Sequence, residues 1–242
     1  MTDLLVIADD LTGALDTGAQ FARWGRRTLV GWRAGGESPV RAVREPPRPR
    51  RCSGGSRTAP SVADVWVLDT ESRPLSPDVA RERVAQAVAP LLPGSHRLYK
   101  KVDSTLRGNV GAELEALLGL GAAPRAILAP AFPAQGRTVT AGELRVHGVP
   151  LAQTPFARPG AACSSVAGLL REQTALPVAE IPLTVARQGP AQLARALCER
   201  GERILVVDAE SDADLRIVAQ AAVAAGRDGL LAGSAGLAAQ LP

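Results

Sequence analysis

Lysine occurs only twice in this chain, against 26 arginines, and the two copies are adjacent: Lys100 and Lys101. They sit in the run Tyr99-Lys100-Lys101-Val102-Asp103-Ser104-Thr105-Leu106-Arg107-Gly108-Asn109. A lysine ammonium is a compact point charge suited to a carboxylate or a phosphate. An Asp-Ser-Thr loop entering a helix adds an acceptor, hydroxyls and backbone N–H donors. The plainer alternative is a solvated charge cluster with a Ser or Thr helix cap. A second group is the pair Asp9-Asp10 in Ala8-Asp9-Asp10-Leu11-Thr12-Gly13. Two such carboxylates can orient a hydroxyl, take its proton or hold Mg2+, and Asp10 or Thr12 can equally cap a helix. A third is Arg73, closing Asp69-Thr70-Glu71-Ser72-Arg73. Its planar fork of donors matches a carboxylate, although a surface loop uses arginine as readily. Residues 130–138 form a proline-stiffened loop in which Gln135, Arg137 and Thr138 could line a pocket. Gly233-Ser234-Ala235-Gly236 is a turn that could cradle an anion or let a helix pack closely on a strand.

These groups need a scaffold that brings them together. Short apolar runs alternate with amphipathic stretches: LLVIA at 4–8, TLVGW at 28–32, VWVLD at 65–69, RLYKK at 97–101, AILAP at 126–130, ILVVD at 204–208 and GLLAG at 229–233. Most of them predict parallel strands buried on both faces. Helices are predicted between them at about 13–24, 77–92, 109–118, 164–174, 189–200, 211–225 and 234–241. Ser76 before Pro77 reads as a helix entry with a hydroxyl cap, and Gly119, Gly201 and Gly226 read as exits. The rhythm predicts an α/β fold, a three-layer, doubly wound, mostly parallel sheet with helices on both faces. Ligands of such sheets bind outside the carboxyl ends of the strands, where the polar groups fall.

Composition narrows the function classes. The 242 residues are 46% hydrophobic and 21% charged with mean hydropathy +0.05, which suits one globular domain and not a disordered chain. The N-terminus lacks the pattern of a secretion signal and no apolar run reaches membrane-spanning length, so a cytoplasmic protein is expected. The cysteines Cys52, Cys163 and Cys198 and the histidines His96 and His147 are scattered, which disfavours disulfides and zinc; no metal ligand is assigned. Residues 34–61 hold six Arg and two Glu and so carry the whole net charge of +4. This Pro, Gly, Ser and Arg-rich segment is expected to be a disordered surface insertion, and nucleic acid is not expected as a partner. Neither GxGxxG nor GxxxxGK[ST] occurs, and a serine hydrolase would need a histidine after Ser234. An aspartyl-phosphate phosphatase built on Asp9-Asp10 stays open as a rival.

Taken in order from residue 3 to 241, IADDLTGALDTG, the Asp-Thr-Glu-Ser-Arg loop, YKKVDSTLRGNVGAELEALL, APAFPAQGRTVTAGELRVHGVPLAQT and GLLAGSAGLAAQL resemble the N-terminal domain of the four-carbon acid sugar kinase family. Similar proteins phosphorylate threonate, erythronate or 3-oxo-tetronate at the terminal hydroxyl with ATP and Mg2+. The resemblance implies a sugar acid at the strand ends. Asp10 and Lys101 would then be catalytic, and Asp9, Arg73, Lys100, Asp103, Ser104, Thr105 and Arg107 would bind substrate. From residue chemistry, Arg73 would hold the carboxylate, Asp10 would orient or deprotonate the hydroxyl, and Lys101 would offset phosphoryl charge. Gly233, Ser234 and Gly236 would lie nearest an anion or the nucleotide. The family's C-terminal ATP-binding domain is not in these 242 residues, so it is expected as a missing or separate partner and no tight nucleotide binding is expected of this chain alone. The segment after TPFARPG and Glu143 depart from the family pattern. A non-catalytic sugar-acid-binding module, a decayed kinase fragment and a homodimer are left open.

Overall fold

The computed structural model describes residues 2–32, 42–44, 63–158, 163–225 and 229–241. Its first strand states the physical problem of the fold: Leu5, Val6 and Ile7 are consecutive, point to alternate faces, and are all fully buried. A strand of that kind needs cover on both sides, and each such side chain contributes about 1.5–3 kcal/mol by leaving water. The chain supplies the cover by alternation. In order, β1 (Thr2–Ala8), α1 (Leu11–Arg23), β2 (Thr28–Trp32), β3 (Ala42–Arg44), β4 (Val65–Asp69), α2 (Pro77–Val88), β5 (Ser95–Lys101), α3 (Val110–Gly119) and β6 (Arg125–Ala129) make the first half. There follow β7 (Arg137–Thr140), β8 (Glu143–Val146), β9 (Val149–Pro150), α4 (Val166–Arg171), β10 (Val178–Ile181), α5 (Leu183–Ala186), α6 (Pro190–Glu199), β11 (Ile204–Val207), α7 (Asp212–Ala224), β12 (Gly229–Gly233) and α8 (Ala235–Ala238).

The main sheet runs β10-β11-β6-β12-β5-β1-β4-β2-β3. All its pairings are parallel except that of β2 with β3. Helices α1, α8, α7, α6 and α5 pack in succession as one layer, and α2, α3 and α4 pack as another. The predicted three-layer α/β fold is therefore the observed one. β3 lies within the Arg/Pro/Gly-rich segment 34–61; its residues Ala42–Arg44 pair with Thr28–Val30 at the sheet edge. The rest of that segment, Cys52 and Gly226 lie outside the described residues. Ser76 is the residue before α2 as expected, but its hydroxyl makes no capping bond.

One feature of the strand order sets the position of the site. β1 and β5 are neighbours, yet the chain leaves β1 through α1 toward β2 on one side and leaves β5 through α3 toward β6 on the other. Connections that diverge in this way open a crevice at the carboxyl ends of the two strands. The strands β7, β8 and β9 form a separate antiparallel sheet, joined to the end of β11 by the Val139–Ala209 bridge.

Helix α7 is held by a capping box, in which Ser211 Oγ accepts from Asp214 N and the Asp214 carboxylate accepts from Ser211 N. Arg187 grips the same carboxylate with Nε and Nη2 at 2.8 and 2.9 Å. Burial works against ionisation of Asp214, but these donors outweigh it and hold its carboxyl at about 2. A carboxyl held below its unfolded value stabilises the fold above that value and ceases to do so as pH falls through the folded one. Asp214→Asn should therefore lower the melting temperature at pH 7, and the gap to the parent should close between about pH 4 and pH 2; a gap unchanged at pH 2 in circular-dichroism melts would refute this.

Candidate functional site: a charged crevice at the ends of β1, β4 and β5

Successive side chains of a strand point to opposite faces, and that separates the two lysines. Lys100 turns into the layer of α3, where its Nζ lies 2.6 Å from Glu113 Oε2 with both side chains buried, at 0% and 1% exposure. Lys101 emerges on the α1 side. Its Nζ lies so close to Gly13 that a Cβ there would stand 2.7 Å away. Among the described residues it has no hydrogen bond and no carboxylate within 4.0 Å, although only 6% of the residue is exposed. Burial pushes the Lys101 ammonium below its ordinary pKa, against the opposing pull of Asp9, Asp103 and Asp10.

The other oxygen of Glu113 organises the turn after β4. Ser72 Oγ donates to Glu113 Oε1 at 2.5 Å, Thr70 Oγ donates to the Ala8 carbonyl at 2.8 Å, and Asn109 Nδ2 donates to the carbonyls of Ser72 and Leu75. The turn so pinned delivers Arg73. Its Nε and Nη2 donate to Asp9 Oδ2 and Oδ1 at 2.8 and 2.9 Å, and its Nη1 donates to Asp10 Oδ2. Asp10 Oδ1 accepts from Gly13 N at 2.8 Å and caps α1. Burial alone would lower the Arg73 pKa, but Asp9, Asp10 and Asp103 more than reverse it.

The loop after β5 wraps its own carboxylate. Asp103 accepts from Arg107 Nε and Nη2 at 2.9 and 2.8 Å, from Thr105 Oγ at 2.5 Å, and from the backbone N–H of Thr105 and Arg107. Burial raises its pKa, yet these donors and the Arg73 charge hold the carboxyl well below the usual range. The wrap needs left-handed backbone at Leu106 (φ 57°) and Gly108 (φ 88°). At Leu106 this costs on the order of 1–3 kcal/mol, a strain of the kind that persists at ligand sites. Gly108 has a second reason for lacking a side chain, since a Cβ would meet Asp9 Oδ2 at 2.8 Å. The Ser104 hydroxyl, on the outer part of this loop, makes no hydrogen bond within the described residues.

The structure thus brings together Asp9, Asp10, Arg73, Lys101, Asp103, Ser104, Thr105 and Arg107. It does not bring Lys100, which is enclosed with Glu113 because the strand pleat turns it away from its neighbour. Arg73 is present, but three of its five N–H groups are engaged by Asp9 and Asp10, so it is not the open carboxylate fork expected of it. The Gly233-Ser234-Gly236 turn pairs beside Lys101 but is a packing turn and not an anion cradle. Ser234 Oγ is used on the Ala131 carbonyl and Gly236 N, and a Cβ at Gly233 or Gly236 would strike Ala129 O at 2.6 Å or the Phe132 ring at 2.7 Å. Arg137 folds back on Gln135 and lies over the Phe156 ring. Sequence reading missed Glu113 and Asn109, which fix the turn that carries Arg73. Glu113 had a signal: at helical spacing it shares the face of Val110, Leu114 and Leu117, all buried, where a lone charge requires a partner.

An eight-strand parallel sheet with an added antiparallel edge strand, and a charged crevice at its switch point, define a doubly wound α/β ligand-binding domain. The family model for a sugar-binding N-terminal domain matches residues 4–241. The chain belongs to that family, the N-terminal domain of the four-carbon acid sugar kinases. It is 40% identical over 99% of its length to a D-threonate kinase of Salmonella typhimurium and 36% identical over 93% to a D-erythronate kinase of Heliobacterium modesticaldum, covering 53% and 49% of those proteins. It spans about half the length of these curated relatives. A solved Bordetella bronchiseptica structure, described as a domain of unknown function with bound citrate in a domain-swapped dimer, superposes with a TM-score of 0.75 at 33% identity over 99% of this chain and 56% of that one. Among the described residues, no helix is long and apolar enough to cross a membrane.

Breaking a buried ion pair on one side leaves the other charge stranded, whereas replacing both members by apolar groups of similar size removes the problem. Glu113→Gln should therefore cost about 3–5 kcal/mol in denaturant unfolding, and Lys100→Met with Glu113→Leu should recover most of that loss. A single variant as stable as the parent would contradict the assignment.

Proposed function

We propose that this chain is the substrate-binding half of an ATP-dependent kinase that phosphorylates the terminal hydroxyl of a four-carbon sugar acid: threonate, erythronate or 3-oxo-tetronate. The observation that carries this reading is Lys101, an ammonium largely buried at the switch point with no carboxylate within 4.0 Å among the described residues. A buried cation without a partner is costly, and a ligand that brings an electron-rich oxygen or a negative charge removes that cost.

A substrate hydroxyl placed between Asp10 and Lys101 meets an acceptor on one side and a donor on the other. Asp10 orients the hydroxyl and receives its proton as the oxygen attacks phosphorus, and Lys101 offsets the charge that develops there. The Ser104 hydroxyl, which makes no hydrogen bond among the described residues, binds a second sugar oxygen in this reading. Asp9 and Arg73 hold Asp10 in place, since the guanidinium spans both carboxylates. ATP and Mg2+ supply the phosphoryl group and its charge neutralisation; the packed Ser234 turn does not fit a phosphate cradle, so these are assigned to the family's second half, and a homodimer belongs to the same proposal. The names of the relatives, and citrate, itself a hydroxy acid, in the Bordetella structure, support an acid ligand. The phosphatase alternative fares worse, because Asp9 is locked into a two-pronged pair at 3% side-chain exposure and is no open nucleophile.

Calorimetric titration of the chain with D-threonate and D-erythronate tests the reading. Saturable binding of one four-carbon acid, unaffected by ATP, is expected; no binding of either would contradict it. Lys101 loses its charge as pH rises through a pKa that burial has lowered, so affinity should fall at a pH below the ordinary lysine value of 10.5. Lys101→Met should weaken binding at least about tenfold at neutral pH and abolish that alkaline fall.

A further inference from the structure

Beside the three carboxylates of the crevice stands a fourth. Asp9 gives both oxygens to Arg73, Asp10 divides its two between Arg73 and Gly13 N, and Asp103 is wrapped by Arg107 and Thr105. Asp69 is the last residue of β4 and aligns with Ala8, immediately before the Asp9-Asp10 pair. Its side chain faces the α1 layer. A Cβ on Gly18 of α1 would stand 3.6 Å from Val67 Cγ2, and Asp69, two residues further along the same strand, points the same way. Lys101 lies on that face too, against Gly13 of α1. The strand order β5-β1-β4 therefore sets Lys101, Asp10 and Asp69 in a row across one face, on strand ends about 4.7–4.9 Å apart.

No cation answers Asp69. Only 2% of the residue is exposed, yet among the described residues its carboxylate accepts one hydrogen bond, from Glu71 N to Oδ1 at 2.9 Å, and has no cationic nitrogen within 4.0 Å. Burial pushes its carboxyl above the ordinary value and the charges of Glu71, Asp10 and Asp9 add to this, while the Glu71 N–H works against it. The turn that carries it is pinned, because Thr70 donates to the Ala8 carbonyl through both N and Oγ. An asparagine at this position would accept the same Glu71 N–H without a charge to bury. What the carboxylate adds is a second oxygen able to accept.

Resting on the kinase reading given above, we propose that Asp69 Oδ2 accepts a hydrogen bond from an inner hydroxyl of the bound sugar acid, one that is not phosphorylated. With the reacting hydroxyl between Asp10 and Lys101, a carbon chain laid across the end of β1 toward β4 brings a neighbouring hydroxyl to Asp69. The consequence is a reading of hydroxylation. An acid of the same length that lacks this hydroxyl leaves a buried carboxylate oxygen without a donor, and is bound more weakly for that reason. The same charge repels the carboxylate of the substrate and keeps that end of the ligand away from β4.

The test compares the 242-residue chain with its Asp69→Asn variant, in which the side-chain oxygen still accepts from Glu71 N and the amide nitrogen in the place of Oδ2 can donate but not accept. The ligands are D-threonate or D-erythronate, whichever binds the parent more tightly, together with 2,4-dihydroxybutanoate and 3,4-dihydroxybutanoate. Each of the last two keeps the carboxylate and the terminal hydroxyl but lacks one inner hydroxyl. Affinities come from calorimetry, with circular-dichroism melts as the check on the fold. The parent should bind the full acid at least about tenfold more tightly than one of the deoxy acids. Asp69→Asn should lose most of that preference. Removing a carboxylate also eases repulsion of an acidic ligand, but this acts alike on both acids and cancels in their ratio. A parent that binds all three acids equally, or preferences that Asp69→Asn leaves intact, would overturn the role of Asp69 and leave the kinase reading standing. A parent that binds no four-carbon acid would overturn both.

Discussion

A lysine buried to zero exposure in the middle of a parallel sheet must have an anion beside it, and the Lys100–Glu113 pair meets that demand. Much of the crevice follows from it. Glu113 has two oxygens; one neutralises Lys100 and the other takes the Ser72 hydroxyl, so a single carboxylate ties β5, α3 and the turn after β4 together. Since the turn is fixed, Arg73 reaches both Asp9 and Asp10 at the end of β1. Because the pleat alternates, fixing Lys100 toward α3 obliges Lys101 to face the other way, into the crevice. The adjacent lysines are thus one enclosed ion-pair member and one crevice-facing residue.

The crevice is preorganised at a cost borne locally. Leu106 is held left-handed, three carboxylates are gathered within one strand-end cluster, and a nearly buried lysine has no carboxylate within 4.0 Å among the described residues. Each of these is unfavourable alone, and together they are offset by fork-shaped pairs from Arg73 and Arg107 and by N–H donors aimed at Asp10 and Asp103. Such rigidity is what the proposed phosphoryl transfer would draw on, since positioning and electrostatics supply most of the catalysis in that reaction class.

Most of the seven strands first visible in the sequence are legible because a strand buried on both faces is largely apolar, and polar runs such as Asp9-Asp10, Asp69–Arg73 and Lys101–Arg107 mark carboxyl ends. The hairpins of the small sheet were not legible. Ala141-Gly142 and His147-Gly148 both take positive φ at two successive residues, the tight hairpin turn normally signalled by Asn-Gly or Asp-Gly. At the first of them the missing signal lies in another part of the chain: Asp208 accepts the N–H groups of Ala141 and Gly142 and stabilises a turn that Ala141 alone disfavours. The lysine pair points to this strand end, but the sequence alone puts both members in the site, Lys101 as catalytic and Lys100 as substrate-binding. The period of a strand was enough to separate them, and Glu113 on an apolar helix face was enough to say which one was paired.

With only two lysines in the chain, selective isotope labelling of lysine yields two side-chain signals, one buried and paired, the other open to the crevice. Following both by nuclear magnetic resonance while D-threonate or D-erythronate is added tests the central claim directly. One signal should shift in proportion to bound acid and vanish from the Lys101→Met spectrum, and the other should stay unmoved. Two unmoved signals at saturation, or a shift carried by Lys100, would contradict the division of labour on which this account rests.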